Sequence, residues 1–314
     1  MNFLIIVYKG IGDVILTTPL LKAIKKYFPD SRIYFLVKKY SADILKNNPY
    51  IEKVLIREEL SLKELRGYKI DVSIDYMLSS SSAFYSVASG AKKRIAFYRK
   101  WRSLIYNNMV KNEYHGYNAK QKFQYLKPFG IKWEEIDDIK PEIYPDENNK
   151  IKIREILSKK NVDINDKIIT FDITSPRAVR QMSADKFIYI ADRIVESGFK
   201  TIFPPALWEE DYVKDSIERY SKYKDKHIVI SGITTLDLSY LISLSKLHIG
   251  TSSSPMHMAV SFDVPTFTVY SPYSDPKVWG PPLDIHRGVQ GELDKLDAIN
   301  IYNQISSFIS FLNI

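Results

Sequence analysis

The chain has 314 residues, enough for one large or two ordinary domains, and 45% of them are hydrophobic, as in a globular protein. It contains no cysteine, which excludes disulfides, thiolate catalysis and cysteine-based zinc sites, and which fits a reducing cytoplasm. The net charge is +8 and one-sided: residues 1–150 hold 26 Lys and Arg against 17 Asp and Glu, whereas residues 151–314 hold 19 against 20. A basic N-terminal half points to an anionic partner, either nucleic acid, a membrane surface or an acidic substrate, with plain solubility as the alternative.

The opening "MNFLIIVY" lacks the basic flank and small-residue cleavage pattern of a signal peptide. No apolar run approaches the roughly 20 residues that span a bilayer. The expectation is a cytoplasmic protein, at most peripheral to a membrane.

In chain order, "FLIIVY" (3–8) is a buried-strand run, and "DVILTTPLLKAIKKYFP" (13–29) places apolar residues at helical spacing. Strands follow at 32–38, 52–57, 70–76 and 93–98, with helices at 41–48, around 61–68 and at 79–91. A helix is predicted over 112–132. The acidic, proline-bearing stretch 133–150 reads as the end of a first domain and a linker. A second series follows, with strands at 167–173, 200–204, 227–231, 247–251 and 266–271. Helices lie between them at 183–199, 209–222, 234–245 and 254–262, and an amphipathic helix ends the chain. Strands alternating with helices imply parallel sheets, so the fold class is α/β with two doubly wound domains, 1–150 and 151–314. The terminal helix, from about 298, is a candidate to pack back on the N-terminal domain. Paired domains of this kind bind ligands in a cleft between them.

Four loops carry candidate chemistry. Gly10-Ile11-Gly12-Asp13 follows the first strand; its glycines permit positive φ and close approach, but Ile15 stands where a dinucleotide fingerprint needs a third glycine. Asp13 is either the N-cap of the next helix or a chemical group. "GTSSSPMHMA" (250–259) offers Ser252, Ser253, Ser254 and His257 at a helix start opened by Pro255, a natural anion site or a simple cap. "DITSPRAVRQMSADKF" (172–187) carries Thr174, Ser175, Arg177 and Arg180, suited to phosphate or merely a solvated loop. "SGITTLDL" (231–238) adds Thr234 and Thr235 at a helix cap. The five histidines form no ligand pattern, so no metal site is expected.

Together these segments resemble the bacterial lipopolysaccharide heptosyltransferases, glycosyltransferase family 9, over nearly the whole chain. "GIGDVILTTPLLKAIKKYFPDSRIYFLV" is similar to the family's Gly-Asp-Val…Thr-x-Pro opening, and "SGAKKRIAFYR" to its Gly-Ala-Lys-x-Arg-Ile-Gly-Phe stretch. "NPYIEKVL" and "IDVSIDY" come in the expected order, and "GITTLDLSYLISLSKLHIGTSSSPMHMAVSFDVPTFTVYSPYSDP" resembles the long C-terminal signature.

The resemblance implies a GT-B fold, two Rossmann-like domains facing across a cleft, and inverting transfer of heptose or a related sugar. The donor is an ADP-heptose-like nucleotide sugar held by the C-terminal domain. The acceptor is the lipopolysaccharide core or another anionic surface glycolipid, held by the N-terminal domain at the cytoplasmic face of the inner membrane. No cofactor, required metal or nucleic-acid partner is implied.

By position, Asp13 matches the general base, and Gly10 and Gly12 form the acceptor-side turn. Arg180 stands where the family commonly has a phosphate-binding Lys. Thr174 and Ser175 match hydroxyls near the same phosphates, and Glu209 an acid that contacts the nucleoside. The family's usual Asp-(Ser/Thr)-Gly is here Ser252-Ser253-Ser254, so an acid associated with donor-sugar recognition is missing. "PYSDP" also stands in place of Gly-Pro-Thr-Asp-Pro. The alternatives are a paralogue that binds nucleotide or glycan without turnover, and a nucleotide-sugar epimerase.

Overall fold

The computed structural model describes residues 1–314. The chain divides into two units, Met1–Tyr144 and Pro145–Ile314. The first is built on six strands: β1 (Asn2–Ile6), β2 (Arg32–Val37), β3 (Lys53–Ile56), β4 (Val72–Asp75), β5 (Lys93–Phe97) and β6 (Asn108–Val110). All pairings are parallel and the spatial order is β3-β2-β1-β4-β5-β6. The second unit has β7 (Ile168–Asp172), β8 (Lys200–Phe203), β9 (His227–Val229), β10 (Leu247–Thr251), β11 (Thr266–Tyr270) and β12 (His286–Gln290). Its order, β9-β8-β7-β10-β11-β12, is again all parallel and repeats the first. Both are the doubly wound Rossmann order, whose connections reverse direction beside the first strand. In that arrangement the loops at the carboxyl ends of β1 and β4, and of β7 and β10, splay apart and open a crevice.

The central strands are buried on both faces, which is why they read as unbroken apolar runs rather than alternating ones. Phe3, Leu4, Ile5 and Ile6 of β1 are all sealed from solvent. In the second unit Ile169 and Phe171 of β7 share a core with Phe187, Ile190 and Ile194 of the helix Ala184–Glu196.

Several elements differ from the sequence expectation. The helix expected over 13–29 is two: Ile11–Ile15 and Thr18–Tyr27. Pro19 explains the break, since its ring excludes the carbonyl four residues earlier and it has no N–H to donate. The freed carbonyls are taken by hydroxyls, Asp13 O by Thr17 Oγ1 at 2.7 Å and Ile15 O by Thr18 Oγ1 at 2.8 Å.

The helix expected over 112–132 is a short helix, Asn118–Gln121, continued by a 3-10 stretch, Lys122–Phe129, which contains Pro128 and ends at left-handed Gly130. The stretch read as linker ends in a helix, Glu147–Lys159, which the sequence reading did not contain. Asp146 and Asn149 cap it reciprocally, and Asn149 and Lys152 reach the buried carboxylate of Asp237 at 2.7 and 2.6 Å. β6, β12 and the helix Pro276–Trp279 were also not expected. The terminal helix, Ala298–Leu312, belongs to the second unit. Ile301, Ile305 and Phe308 fill the second unit's core beside Ala184–Glu196.

Candidate active site

In the first unit the loop after β1 and the loop after β4 meet at the reversal point. Asp13 lies here, and it is not the cap of its helix. Gly10 is the N-cap residue, with an ordinary φ of −62°, and no side chain caps the turn. The positive φ that these glycines permit is not used; a Cβ on Gly10 would meet nothing within 4 Å, so the turn is open there. Gly12 lies inside the helix Ile11–Ile15. Asp13 Oδ1 is enclosed yet has no hydrogen-bond partner. A buried carboxylate oxygen left unpaired costs stability, so its retention calls for a chemical reason.

Around it stands a cluster that the sequence reading missed. Tyr76, directly after β4, has the ammonium of Lys9 at 4.7 Å from its ring centre and that of Lys122 at 4.6 Å. Asn118 Nδ2 donates to the Tyr76 hydroxyl at 2.9 Å, and Lys122 Nζ donates to Asn118 Oδ1. Lys122 is sealed from water. Burial pushes its pKa from 10.5 down to about 7, with the like charge of Lys9 adding to the fall and the carboxylate of Asp13 opposing it. Burial, and then the charge of Asp13, push the Tyr76 phenol up to about 12, against the bond from Asn118.

Behind them, Asp75 accepts from the backbone N–H groups of Met77 (2.7 Å) and Leu78 (3.2 Å) and from the Tyr106 hydroxyl, and so fixes the turn that presents Tyr76. The one sequence signal for Lys122 is its place on a helical apolar stripe with Ala119, Phe123 and Leu126, all buried. A cation on such a stripe is anomalous.

In the second unit the reversal point joins the loops after β7 and β10. Thr174, Ser175, Arg177 and Arg180 all lie on the first loop, Ser252 and Ser253 on the second, and Ser254 and His257 in the first turn of the helix that follows it. The two are tied together, because Thr251 Oγ1 donates to Thr174 O at 3.2 Å. Ser175 Oγ accepts from the N–H of Arg177 at 3.3 Å, and the N–H of Ser175 donates to Gln181 Oε1 at 3.2 Å, so this loop holds its own shape. Arg177 is exposed and Arg180 half-buried. Ser252 and His257 are buried, and the His257 ring lies 6.3 Å from that of Trp279.

Ser253 is the N-cap residue of the helix Ser254–Ser261, but its hydroxyl does not cap. It donates to Asp172 at the end of β7. Asp172 is a further residue that sequence reasoning missed. Burial above all, with the charge of Glu209 added, raises its pKa to about 7 against the bonds from Ser253, Thr174 and Thr251. The fit is close: a Cβ on Gly250 would stand 2.8 Å from Asp172 Cβ and 2.7 Å from its carbonyl oxygen. An acid thus occupies the loop cluster whose own triplet is Ser252-Ser253-Ser254, supplied from the neighbouring strand. An Asp ending a strand at a reversal point was its only sequence signal.

The other candidates sit further along the same edge. Glu209, after β8, accepts from the N–H of Ala206 at 3.2 Å, beside the exposed Trp208. Thr234 and Thr235 follow β9, two strands or about 10 Å from β7. Thr234 is spent on structure: its hydroxyl caps the helix Thr235–Ser243 by accepting from Asp237 N–H at 3.1 Å.

Two Rossmann-like units in one chain, each with polar residues gathered at its reversal point, are the two-domain arrangement of the GT-B architecture. The chain belongs to glycosyltransferase family 9 (heptosyltransferase), whose family model matches residues 60–298, well over half of it. The matched stretch holds the second-unit loops, and the Gly10–Asp13 turn precedes it. A lipopolysaccharide heptosyltransferase 1 from Campylobacter coli is 23% identical, over 86% of this chain and 84% of its own. The fold is that of a glycosyl transferase family 9 structure from Veillonella parvula (TM-score 0.88, 19% identity, 99% of this chain and 97% of that one). It is also that of Escherichia coli heptosyltransferase WaaC with ADP (TM-score 0.76, 17% identity, 98% and 100%). No helix is long and apolar enough to cross a membrane.

Proposed function

We propose that the chain transfers heptose or a related sugar, with inversion, from an ADP-heptose-like donor to the lipopolysaccharide core or a similar anionic surface glycan. Asp13 takes the proton of the acceptor hydroxyl as that oxygen bonds to the anomeric carbon. The bond from that carbon to the diphosphate breaks, and the nucleoside diphosphate leaves with its electron pair. The observation that carries this reading is the half-buried Asp13 carboxylate, with Oδ1 enclosed and unpaired and the charge of Lys122 near it. Lys122 is the cation whose charge faces this carboxylate.

The second unit takes the donor. Arg177 and Arg180, with the amides opening the helix Ser254–Ser261, face the diphosphate, so the leaving charge needs no metal. Asp172, held by Ser253, stands where a sugar hydroxyl can be read. The E. coli relative solved with ADP supports an adenine nucleotide, and the heptosyltransferase relatives support a lipopolysaccharide acceptor.

The test is a panel of ADP-, UDP- and GDP-sugars, scored by thermal shift and by turnover with and without acceptor. A productive donor raises the melting temperature by mass action and is consumed only when acceptor is present. Binding without consumption identifies a non-catalytic paralogue, and isomerisation of the donor without acceptor identifies an epimerase.

A further inference from the structure

Between Asp75 and Glu113 the chain has 37 residues with seven bases and no acid. This stretch contains β5, β6 and, after β5, a tight loop with the sequence Tyr98-Arg99-Lys100-Trp101-Arg102-Ser103-Leu104. Leu104 is 95% exposed and Trp101 68% exposed, and Tyr98 is half out as well. Single exposed apolar side chains are ordinary, but a Trp and a Leu three residues apart on one loop tip, flanked by bases alone, are not.

The tip is built rather than loose. Arg102 is buried, its guanidinium lies 4.0 Å from the Trp101 ring centre, and it donates to Leu78 O at 3.3 Å and Ser80 Oγ at 3.4 Å. Trp101 is thus held outward by a cation anchored in the fold. The Arg102 N–H donates to the Arg99 carbonyl at 2.8 Å, and Ile105 and Tyr106 N–H to the Arg102 carbonyl at 3.0 and 3.1 Å, closing the loop. Arg99 and Lys100 are exposed beside Trp101, and Lys111 is exposed after the neighbouring strand β6. Because β1, β4, β5 and β6 are parallel, this tip lies on the carboxyl edge that also carries Asp13.

We propose that Trp101 and Leu104 insert into the interfacial layer of an anionic lipid bilayer while Arg99, Lys100 and Lys111 meet its headgroups, so that the acceptor-side edge of the first unit faces the membrane. An indole at a bilayer interface buries its ring and keeps its N–H wet, a Leu gains from leaving water, and bases gain from anionic lipid. The proposal rests on the transferase reading only for naming that edge as the acceptor side.

The experiment uses the full chain and two kinds of vesicle, phosphatidylglycerol mixed with phosphatidylethanolamine, and phosphatidylcholine alone, with binding read by sedimentation and no donor present. The wild type is expected to pellet with the anionic vesicles and not the neutral ones, and added salt is expected to release it. Arg99→Gln/Lys100→Gln should weaken binding roughly thirtyfold, about fivefold for each charge. Trp101→Ser/Leu104→Ser should weaken it at least about tenfold with an unchanged melting temperature, since both side chains stand in water. Transfer to a water-soluble, deacylated acceptor should stay at the wild-type rate in both variants. Vesicle binding that ignores the Trp101→Ser/Leu104→Ser change overturns the proposal. So does an equal loss of transfer to the deacylated acceptor, which would make Trp101 a sugar-stacking platform instead. Vesicle binding needs no turnover, so its failure leaves the transferase reading standing, and a chain that binds vesicles but consumes no donor refutes that reading alone.

Discussion

Lys122 should cost the protein stability, and replacing it with Met should make the chain both more stable and less active. The ammonium is fully enclosed, and its fall from 10.5 to about 7 measures the cost of charging it there. At about 1.4 kcal/mol per factor of ten, that fall sets a ceiling of roughly 5 kcal/mol. Met keeps the length and apolar stem but removes the bond to Asn118 Oδ1, which subtracts roughly 1–3 kcal/mol. A net gain of about 2 kcal/mol near pH 7 remains, or about 4–8 °C in melting temperature for a unit of this size.

The sign fixes the pH window. The unfolded lysine holds its proton up to about 10.5 and the folded one only to about 7. The penalty is therefore complete below about pH 7 and fades as pH rises toward 10.5, so the advantage of Lys122→Met must fade with it. Urea unfolding of both proteins between pH 6 and about 10 measures this directly, because the other titrations are common to both and cancel. Transfer by the variant should fall at least about tenfold, since a cation facing the reacting carboxylate is gone. A variant that is less stable at every pH, or more stable with full activity, would show that Lys122 is a structural group and not a functional one.

Other outcomes follow from the second unit. Asp172→Asn keeps a partner for Ser253 and removes a buried charge. The native acid's pKa is raised to about 7, so its contribution to stability is present below about pH 4 and lost as pH rises through about 7. Above pH 7 the Asn variant should be the more stable by at least about 1 kcal/mol in urea unfolding. Gly250→Ala drives a methyl against the Asp172 backbone and Cβ, which should cost about 1–3 kcal/mol and, by displacing the loops of the reversal point, weaken thermal stabilisation by a bound donor. Asp237→Ala removes the partner of Lys152 and Asn149 and half of a capping box. Lys152 is partly exposed, so the loss should be nearer about 2 kcal/mol than the value for a wholly buried pair, read from the same unfolding curves. Burial works against the Asp237 carboxylate, but these bonds hold it below the usual range. Their contribution is present above about pH 4 and is lost as pH falls through the lowered pKa.

The architecture was legible because the strands are buried on both faces. A run such as Phe3–Val7 has one physical explanation, and its regular recurrence implies parallel sheets. The boundaries that went astray have local causes. Pro19 divides one apolar stripe into two helices, and Pro128 turns a helical pattern into 3-10 geometry. The helix Glu147–Lys159 is mostly polar, buries only Ile153 and Leu157, and relies on its cap and on Asp237, which is 78 residues beyond its end in the chain.

The site divides in the same way. Asp13 could be singled out from its place at a glycine turn, and so could the loops at Thr174–Arg180 and Ser252–His257. The partners of Asp13 could not be read, since Lys9, Tyr76, Asn118 and Lys122 converge only once the sheet has formed. Asp172 was hidden for a related reason: it reads as the last residue of a strand, and it gains its neighbours Ser253 and Gly250 through the β7–β10 pairing.

The central claim is that Asp13 removes the acceptor proton, and the most direct measurement is the turnover of Asp13→Asn with a competent donor and acceptor. The substitution keeps the shape of the side chain and abolishes its basicity. The account predicts a loss of about 10²–10⁴-fold in turnover, with donor binding by thermal shift left intact. A loss smaller than about tenfold would contradict it and return Asp13 to the role of a buried polar residue in a turn.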